Sequence, residues 1–308
     1  MTVTPNPSID RTLRIPPLSR GAIHRALSAT TEAGGKGINV SRALASQGFA
    51  TAAVLPVSEA SSLLLGDLLS GAFPLETVPI EGEIRVNITL MEADGTVTKI
   101  NEPGPTIRPD HAAAIVRRAV ELAAGADWVV GCGSLPPGAP VDLYGRLARS
   151  VGGSTRVAVD ADGAALRQSL GSGVALLKPN RGELEELVGR RLPTLGDVIE
   201  CASDLVGGGA AAAMLVSLGP DGAVYVDSAG ASHAEADLVD VVNPVGAGDA
   251  LLAGFLAAGG NGSALGSAVA WSVAACRSAG TEMGPVTATD AASVVVHPTI
   301  EPARRLAA

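Results

Sequence analysis

Short apolar segments rich in β-branched residues alternate with helical patterns along most of this chain, and the alternation limits the folds that it can adopt. A strand, a helix and a further strand make the βαβ unit, whose strands lie parallel in one sheet. Strands are predicted at 51–57, 128–133, 156–160, 174–178 and 212–218. Helices are predicted at 36–47, 109–123, 141–150, 181–188 and 195–206. We therefore expect an α/β fold built on a mostly parallel sheet.

Two segments do not follow this rhythm. Residues 11–31 and 83–104 have the pattern of short antiparallel strands, and the second segment has a turn signal at Asp94 and Gly95. We expect them to form a small sheet inserted into the α/β domain as a lid. Because the chain shows no internal repeat and no low-complexity linker, we expect residues 1–308 to form a single domain.

The charge balance argues against nucleic acid as a partner. The formal net charge is −9, and the basic residues are not clustered as they are in proteins that follow a phosphate backbone. We expect small molecules or further copies of the chain as partners. Cys132, Cys201 and Cys276 contain no CxxC pair, so neither a zinc ribbon nor a disulfide framework is predicted. These cysteines, with an N-terminus unlike a signal peptide, predict a cytoplasmic protein.

Residues 250–276 carry no charge, and a segment of that length is long enough to cross a membrane. The GGNG stretch at 259–262 interrupts it, however, and both halves consist mainly of Ala, Gly and Ser. We therefore expect two tightly packed interior helices and no contact with a membrane.

Glycine-rich or polar turns follow several of the predicted strands, and none matches a common nucleotide fingerprint. The AGGKG stretch at 33–37 lacks the first glycine and the final Ser or Thr of a P-loop, and no predicted strand is followed by GxGxxG. In an open α/β sheet, ligands bind beyond the carboxyl ends of the strands. We expect these turns to converge there on one crevice.

The stretch NPVGAGDALLAGFL at 243–256 contains the most specific of these turns. Gly246 and Gly248 allow backbone amides to approach an anion, and the positive N-terminal end of the following helix favours the same charge. Asp249 lies in the first turn of that helix. Its carboxylate either stabilises the helix end or takes part in chemistry at the anion site.

The KPNRGE stretch at 178–183 also joins a strand to a helix. Asn180 and Glu183 lie three residues apart, so they can hold Mg²⁺ through water, but the same spacing is that of a capping box. The turns GSLPPG at 133–138 and SLGPDG at 217–222 either line the crevice or only reverse the chain.

The GGKGINV turn at 34–40 enters an amphipathic helix. Lys36 and Asn39 suit a phosphate or sugar hydroxyls, although a solvated lysine and a capping asparagine are the ordinary alternatives. Asp10 follows the first strand, where it either accepts hydrogen bonds from two sugar hydroxyls or stabilises a turn.

Each predicted lid segment contains an arginine that is a candidate for binding a phosphate. Arg25 and Arg85 either bind a substrate phosphate with paired hydrogen bonds or serve solubility at the surface. The four histidines show no metal-ligand spacing, so a histidine metal site is not predicted.

Together and in this order, the motifs resemble those of the phosphofructokinase B family of ribokinase-like carbohydrate kinases. The similarity spans nearly the whole chain: an NPxxD start, a GGKGxNV turn, an inserted β lid, GSLPPG, KPNxxE, SLGxxG and GAGD. It implies a three-layer α/β/α domain with a mostly parallel central sheet and a small β-sheet lid. Within the family, TPNPSIDRTL, GGKGINVSRAL and RVNITL look most like the 1-phosphofructokinases and the related tagatose-6-phosphate kinases.

The resemblance implies a role for each matching residue. Asp249 would be the base that accepts the proton of the attacking hydroxyl, and the amides of Gly246, Ala247, Gly248 and Asp249 would hold the transferred phosphoryl group. The sugar phosphate would be bound by Asp10, Arg25, Gly34, Gly35, Lys36, Asn39, Arg85 and Ser134. ATP would be bound by Lys178, Asn180, Ser217, Gly219, Gly222, Gly246 and Gly248, with Asn180 and Glu183 positioning Mg²⁺ through water.

The implied reaction adds a second phosphate to a ketohexose phosphate. Fructose 1-phosphate, phosphorylated at its 6-hydroxyl, is the first expectation, with fructose 6-phosphate and tagatose 6-phosphate as alternatives. A sugar-phosphate sensor without activity would need neither Asp249 nor the Asn180 and Glu183 pair. Exposed lid edges further predict a homodimer.

Two features depart from the family pattern. Pro244 stands where relatives more often carry Ser or Thr, which removes one amide before the GAGD turn. The tail from residue 285 to 308 is rich in β-branched residues where a helix is expected.

Overall fold

The computed structural model describes residues 1–237, 241–278, 280 and 283–307. Its strands are β1 (Thr2–Val3), β2 (Ser8–Ile15), β3 (Ser28–Gly34), β4 (Ala53–Val57), β5 (Leu75–Pro79), β6 (Arg85–Glu92), β7 (Val97–Asn101), β8 (Trp128–Cys132), β9 (Arg156–Asp160), β10 (Leu176–Leu177), β11 (Ala213–Ser217), β12 (Ala223–Asp227), β13 (Gly230–Ala236) and β14 (Val294–Val296). Its α-helices are α1 (Lys36–Ser46), α2 (Glu59–Leu69), α3 (Pro109–Ala123), α4 (Leu143–Ser150), α5 (Gly163–Ser169), α6 (Arg181–Val188), α7 (Leu195–Gly207), α8 (Ala247–Ala257), α9 (Leu265–Cys276) and α10 (Ala288–Ala292).

The main sheet has the strand order β14-β13-β12-β11-β10-β9-β8-β1-β4-β5. Within this order, each neighbouring pair from β11 through β10, β9, β8, β1 and β4 to β5 is parallel. The strands β12, β13 and β14 continue the sheet as antiparallel neighbours. This arrangement confirms the expected α/β fold with a mostly parallel sheet. The carboxyl ends of the parallel strands therefore lie along one edge, where the turns that follow them can meet.

Helices cover both faces of this sheet because successive side chains of each strand point to opposite faces. In β8, Val129 belongs to a core that also contains buried residues of α3 to α7. Its neighbours Trp128 and Val130 belong to a second core that contains buried residues of α1, α8 and α9. The expected three-layer architecture is thus present.

The uncharged segment forms α8 and α9, as expected, with the break between them at the predicted GGNG stretch. The two helices pack closely because Gly254 leaves room for Trp271; a Cβ at position 254 would overlap the indole. Among the described residues, we find no helix with the length and apolar character needed to cross a membrane.

The small sheet has the order β3-β2-β6-β7, and two antiparallel hairpins meet through the parallel pair β2 and β6. The predicted turn is present, since the Gly95 amide donates to the Glu92 carbonyl at 3.1 Å. The predicted segment 11–31 was too narrow, because pairing of β2 with β3 extends from Ser8 to Gly34. Asp10 consequently lies on a lid strand.

Several elements were not predicted, namely α2, β5, α5 and the strands β12 and β13. The C-terminal tail forms the short α10 and then β14, which pairs with β13 at the edge of the main sheet. A β-branched VVV stretch suits a strand better than a helix, which explains why the expected helix is short.

Candidate active site

Asp249 lies at the carboxyl edge of the main sheet, in the first turn of α8. The helix begins after Gly246, whose φ of 84° is in the left-handed region that glycine tolerates. No side chain caps the N-terminus of this helix. The Asp249 side chain is buried and accepts a hydrogen bond of 2.8 Å from Nδ2 of Asn39 in α1. The helix-cap interpretation of Asp249 is therefore wrong. The first-turn amides of Gly248 and Asp249 have no acceptors within their own helix.

The surroundings of Asp249 disfavour its negative charge. Burial and the nearby carboxylate of Asp160 raise its pKa to about 6, although the hydrogen bond from Asn39 and the charges of Lys36 and Lys178 act in the opposite direction. Such a carboxylate is ionised at neutral pH and is a stronger base than an ordinary aspartate.

Asp160, at the end of β9, was not predicted as a site residue. It is fully buried, and Lys36 Nζ and Lys178 Nζ lie 2.7 and 3.0 Å from its two oxygens. Burial opposes its charge, but the two lysines outweigh burial and hold its pKa below the usual range. The available signal was its position at a strand end beside the other turns.

The two lysines extend from Asp160 in different directions. Lys178 is buried, and its Nζ lies within van der Waals distance of a Cβ at position 248, beside the N-terminus of α8. Lys36 Nζ lies 3.6 Å from Glu183 Oε1. Burial opposes the charge of Lys36, but Asp160 and Glu183 outweigh it and raise the pKa of Lys36.

Asn180 and Glu183 form the capping box that was one of their two interpretations. Asn180 Oδ1 accepts the Glu183 amide at 2.9 Å, and Glu183 Oε2 accepts the Asn180 amide at 2.8 Å. The second Glu183 oxygen remains directed toward Lys36 and the cavity. The same residues thus cap the start of α6 and present a carboxylate oxygen to the crevice.

A cavity of about 780 Å³ extends from Asp249 and Lys178 along the carboxyl edge. Ser217, Gly219 and Gly222 line it, as predicted, and Gly222 (φ 79°) has no room for a side chain because a Cβ would overlap Ala234. Its apolar side is formed by Val241, Val245, Leu251, Val269, Val273 and Cys276. The shape and lining suit a ligand with a charged end and a flat apolar end.

A second cavity, of about 250 Å³, lies under the lid. Among the residues that line it are the predicted Asp10, Gly35, Lys36, Asn39, Arg85 and Ser134. Asp10 Oδ1 accepts hydrogen bonds from Ser8 Oγ at 2.7 Å and Asn87 Nδ2 at 3.0 Å. Gly34 is required beside it, because a Cβ there would overlap the Asp10 carboxylate.

Unpaired polar atoms are concentrated in this smaller cavity. Four of its lining residues have a buried side-chain atom without a hydrogen-bond partner, and they are Thr4 Oγ1, Asn6 Oδ1, Arg85 Nε and Asn87 Oδ1. Buried polar atoms are normally paired, so this concentration indicates a site for a polar ligand.

The two predicted arginines are placed differently. Arg85 lines the smaller cavity and donates to the Asn6 carbonyl at 3.0 Å and the Glu102 carbonyl at 3.3 Å. Burial lowers its pKa. Arg25 is exposed in the segment between β2 and β3 and does not line either cavity.

Lys36 lines both cavities. Asn39 of the smaller cavity donates a hydrogen bond to Asp249 of the larger cavity. Lys99 of β7 was not predicted, yet it lines the larger cavity. The arrangement can hold two polar ligands side by side, with a basic carboxylate where they meet and cations on the larger side. That is the geometry of a phosphotransferase.

Comparisons with known proteins agree with this class. The family model described as "pfkB family carbohydrate kinase" matches residues 4–291. The 1-phosphofructokinase of Haloferax volcanii is 39% identical over 262 residues, covering 84% of this chain and 83% of its own. The ATP-dependent 6-phosphofructokinase isozyme 2 of Escherichia coli is 34% identical over 257 residues, covering 82% of each.

A solved structure of Escherichia coli phosphofructokinase-2 in complex with substrates and products superimposes with a TM-score of 0.84 at 31% identity. The alignment covers 94% of this chain and 96% of that chain. The chain therefore belongs to the pfkB family of carbohydrate kinases, enzymes that transfer phosphate to a sugar hydroxyl.

Proposed function

We propose that this enzyme transfers phosphate from ATP to fructose 1-phosphate at the 6-hydroxyl, giving fructose 1,6-bisphosphate and ADP. The observation that carries the proposal is the pair of cavities that meet at Lys36, with Asn39 of one bonded to Asp249 of the other. In-line transfer requires the attacking hydroxyl oxygen, the phosphorus and the leaving oxygen on one line, with a base beside the hydroxyl, and two adjoining cavities provide the alignment.

ATP occupies the larger cavity in this proposal. Val269, Val273 and Cys276 line the apolar end for the base, and Ser217, Gly219 and Gly222 line the wall between the base and the phosphates. In this proposal Lys178 and the amides of Gly246 and Gly248 bind the transferred phosphoryl group, whereas the amide of Ala247 donates to the Pro244 carbonyl at 3.3 Å. Asp249 accepts the proton of the acceptor hydroxyl, for which it has to be ionised.

Lys99 adds a third cation to this cavity. The chain contains only three lysines, Lys36, Lys99 and Lys178, and all three line the larger cavity. The other basic side chains are arginines. Because a lysine on the lid can approach the phosphates when the lid closes, we assign Lys99 to phosphate binding.

The residues present fit Mg²⁺ bound with ATP. Mg²⁺ prefers oxygen ligands and usually keeps several waters. Glu183 Oε1 faces the cavity 3.6 Å from Lys36 Nζ, while the Asn180 amide holds Oε2. Among the described residues, no group of three or more His, Cys, Asp or Glu side chains is placed to hold a metal, so ATP itself supplies ligands. Glu183 and Asn180 would hold the ion through water, and when bound it neutralises charge on the phosphates.

The sugar phosphate occupies the smaller cavity. Asp10 offers a carboxylate to two sugar hydroxyls, and Ser134 and Gly35 also line the cavity. Arg85 lines this cavity, and its buried Nε has no hydrogen-bond partner. This cation favours a phosphorylated sugar over a free one. Fructose 6-phosphate and tagatose 6-phosphate remain the alternative substrates.

The assembly and surroundings are part of the proposal. We infer that one kinase domain, residues 1–308 with its lid inserted, pairs with a second copy through the lid. Ile23, Leu27 and Ile100 of the lid region are 89%, 72% and 53% exposed, and they give the lid an apolar surface that a second copy would cover. A reducing cytoplasm suits its three free, buried cysteines.

A coupled assay of ADP release over a panel of sugars and sugar phosphates tests the substrate. We expect fructose 1-phosphate to give the highest kcat/KM, with the product identified as the 1,6-bisphosphate by ³¹P NMR. A higher kcat/KM for unphosphorylated ribose or adenosine than for every sugar phosphate would show that Arg85 does not bind a substrate phosphate.

A further inference from the structure

The C-terminal tail contacts the back of the nucleotide cavity, although no step of the proposed reaction uses it. After β14, residues 297–307 run to the start of α7. The carbonyl of Arg304 accepts the Leu195 amide at 2.9 Å, and that of Pro302 accepts the Gly196 amide at 2.9 Å. A Cβ at position 196 would overlap Pro302, so glycine is required where the tail docks. The tail is therefore fixed against the body of the protein.

Arg304 joins two carboxylates that belong to different elements. Its guanidinium binds both oxygens of Glu235 at the end of β13, with one contact of 2.8 Å, and lies 3.2 Å from Asp221 Oδ1. The amide of Ala307 donates to the other Asp221 oxygen at 2.7 Å. The hydrogen bonds from Arg304 lower the pKa of Glu235 to about 2. Both carboxylates are consequently held by the tail.

These carboxylates stand directly behind the walls of the larger cavity. Asp221 ends the short 3-10 turn Gly219–Asp221, and the adjoining Gly219, Pro220 and Gly222 line the cavity. Glu235 precedes Ala236, another lining residue. Arg304 does not line the cavity itself. It thus binds two walls together from behind.

We propose that Arg304 is a positioning residue for the nucleotide. Without its cation, Asp221 and Glu235 would repel each other, and the turn at 219–222 would separate from β13. ATP would then have to reorder this wall on binding, whereas the sugar cavity on the far side of Lys36 would be unchanged. The inference rests on the proposed ATP site and adds the residue that holds its shape.

The test compares Arg304→Ala with Arg305→Ala, a neighbour of the same type whose side chain is exposed. We expect Arg304→Ala to raise the KM for ATP about tenfold while the KM for the sugar phosphate and kcat stay within about twofold. Arg305→Ala should match the wild type in all three constants. Arg304→Lys, which keeps the charge but not the paired geometry, should give an intermediate KM for ATP.

Equal KM values for ATP in Arg304→Ala and Arg305→Ala would overturn the inference. A parallel rise of the KM for ATP and the KM for the sugar phosphate in Arg304→Ala would overturn it as well. If Arg304→Ala does not fold, Arg304→Lys and Asp221→Asn decide the question, because each should raise the KM for ATP without raising the KM for the sugar phosphate. A wild-type KM for ATP in both variants would overturn the inference. Calorimetric titration with ATP alone keeps the tests separate. If the wild type phosphorylates no sugar phosphate, the proposed substrate is wrong, whereas a difference in ATP affinity between the variants still supports the role of Arg304.

Discussion

Asp249 and Asp160 are buried carboxylates at the same edge of the sheet, with opposite electrostatic surroundings. Asp160 is held between Lys36 and Lys178, so its charge stabilises the fold and fixes both lysines. Asp249 receives one hydrogen bond from Asn39, and its pKa rises to about 6. Two aspartates with divergent pKa values are typical of a site in which one positions groups and the other exchanges a proton.

Replacing each aspartate by asparagine should change stability in opposite directions. The folded state raises the pKa of Asp249 from 3.8 to about 6, so this residue costs stability as pH rises through that interval and above it. We expect Asp249→Asn to raise the free energy of unfolding at pH 7.5 by about 1–3 kcal/mol. The folded state lowers the pKa of Asp160, so the stability that this carboxylate contributes is present at neutral pH and is lost in acid.

Asp160→Asn leaves two ammonium groups without their carboxylate and should lower the free energy of unfolding by about 3–5 kcal/mol. Asp162→Asn, at an exposed position two residues away, serves as the control and should change it by less than about 0.5 kcal/mol. Urea unfolding measures all three. A loss of stability in Asp249→Asn would contradict the electrostatic account.

At the level of secondary structure, the turns that follow strands were predictable, but the contacts between segments distant in sequence were not. The glycine spacing in 243–256 and the polar residues in 178–183 identified two parts of the crevice, because these patterns are local in sequence. Asp160 was missed because its importance comes from Lys36 and Lys178, which lie far from it in the chain. The parallel pairing of β2 with β6 likewise depends on contacts between distant segments.

The lid strand β7 supplies Lys99, and its accessibility gives a direct test. Lys99 is exposed, Lys178 is buried beside Asp160, and Lys36 is held protonated by its carboxylates. An amine-selective acetylating reagent should therefore modify Lys99 before the other two lysines. We expect saturating ATP to protect Lys99, as read by peptide mass spectrometry.

The charge-retaining variant Lys99→Arg is the control for this labelling. It should lose the modified peptide while keeping turnover near that of the wild type, whereas Lys99→Ala should raise the KM for ATP about threefold or more. Equal labelling of Lys99 with and without ATP would contradict its assignment to phosphate binding.

At the scale of the whole molecule, composition and periodicity predicted the α/β class and the two interior helices. In the C-terminal tail, the helix expected from the family pattern is largely replaced by β14 and an extended segment, in keeping with its β-branched composition. The docking of residues 304–307 was not predictable, because Arg304 and Ala307 are held by Glu235 and Asp221, contacts that no local pattern reveals. Arg25, predicted to bind the substrate phosphate, lies exposed outside both cavities, and no local pattern distinguishes it from Arg85, which lines one.

The exposed apolar side chains of the lid predict the oligomeric state. We expect light scattering coupled to size-exclusion chromatography to give the mass of a dimer, and Ile23→Asp to give a monomer at the same concentration, because a buried charge opposes association. Leu63→Asp is the matched control, since Leu63 is 68% exposed on α2 outside the lid. A wild-type monomer would show that the lid is not an interface.

The central claim is that Asp249 acts on a substrate held by other residues, and Asp249→Asn tests it most directly. The account predicts that this variant loses turnover by a factor of about 10³ or more while its calorimetric Kd for the sugar phosphate stays within about threefold of the wild type. Equal loss of turnover and binding would show that Asp249 has a structural role. Turnover close to that of the wild type would show that the base is another residue.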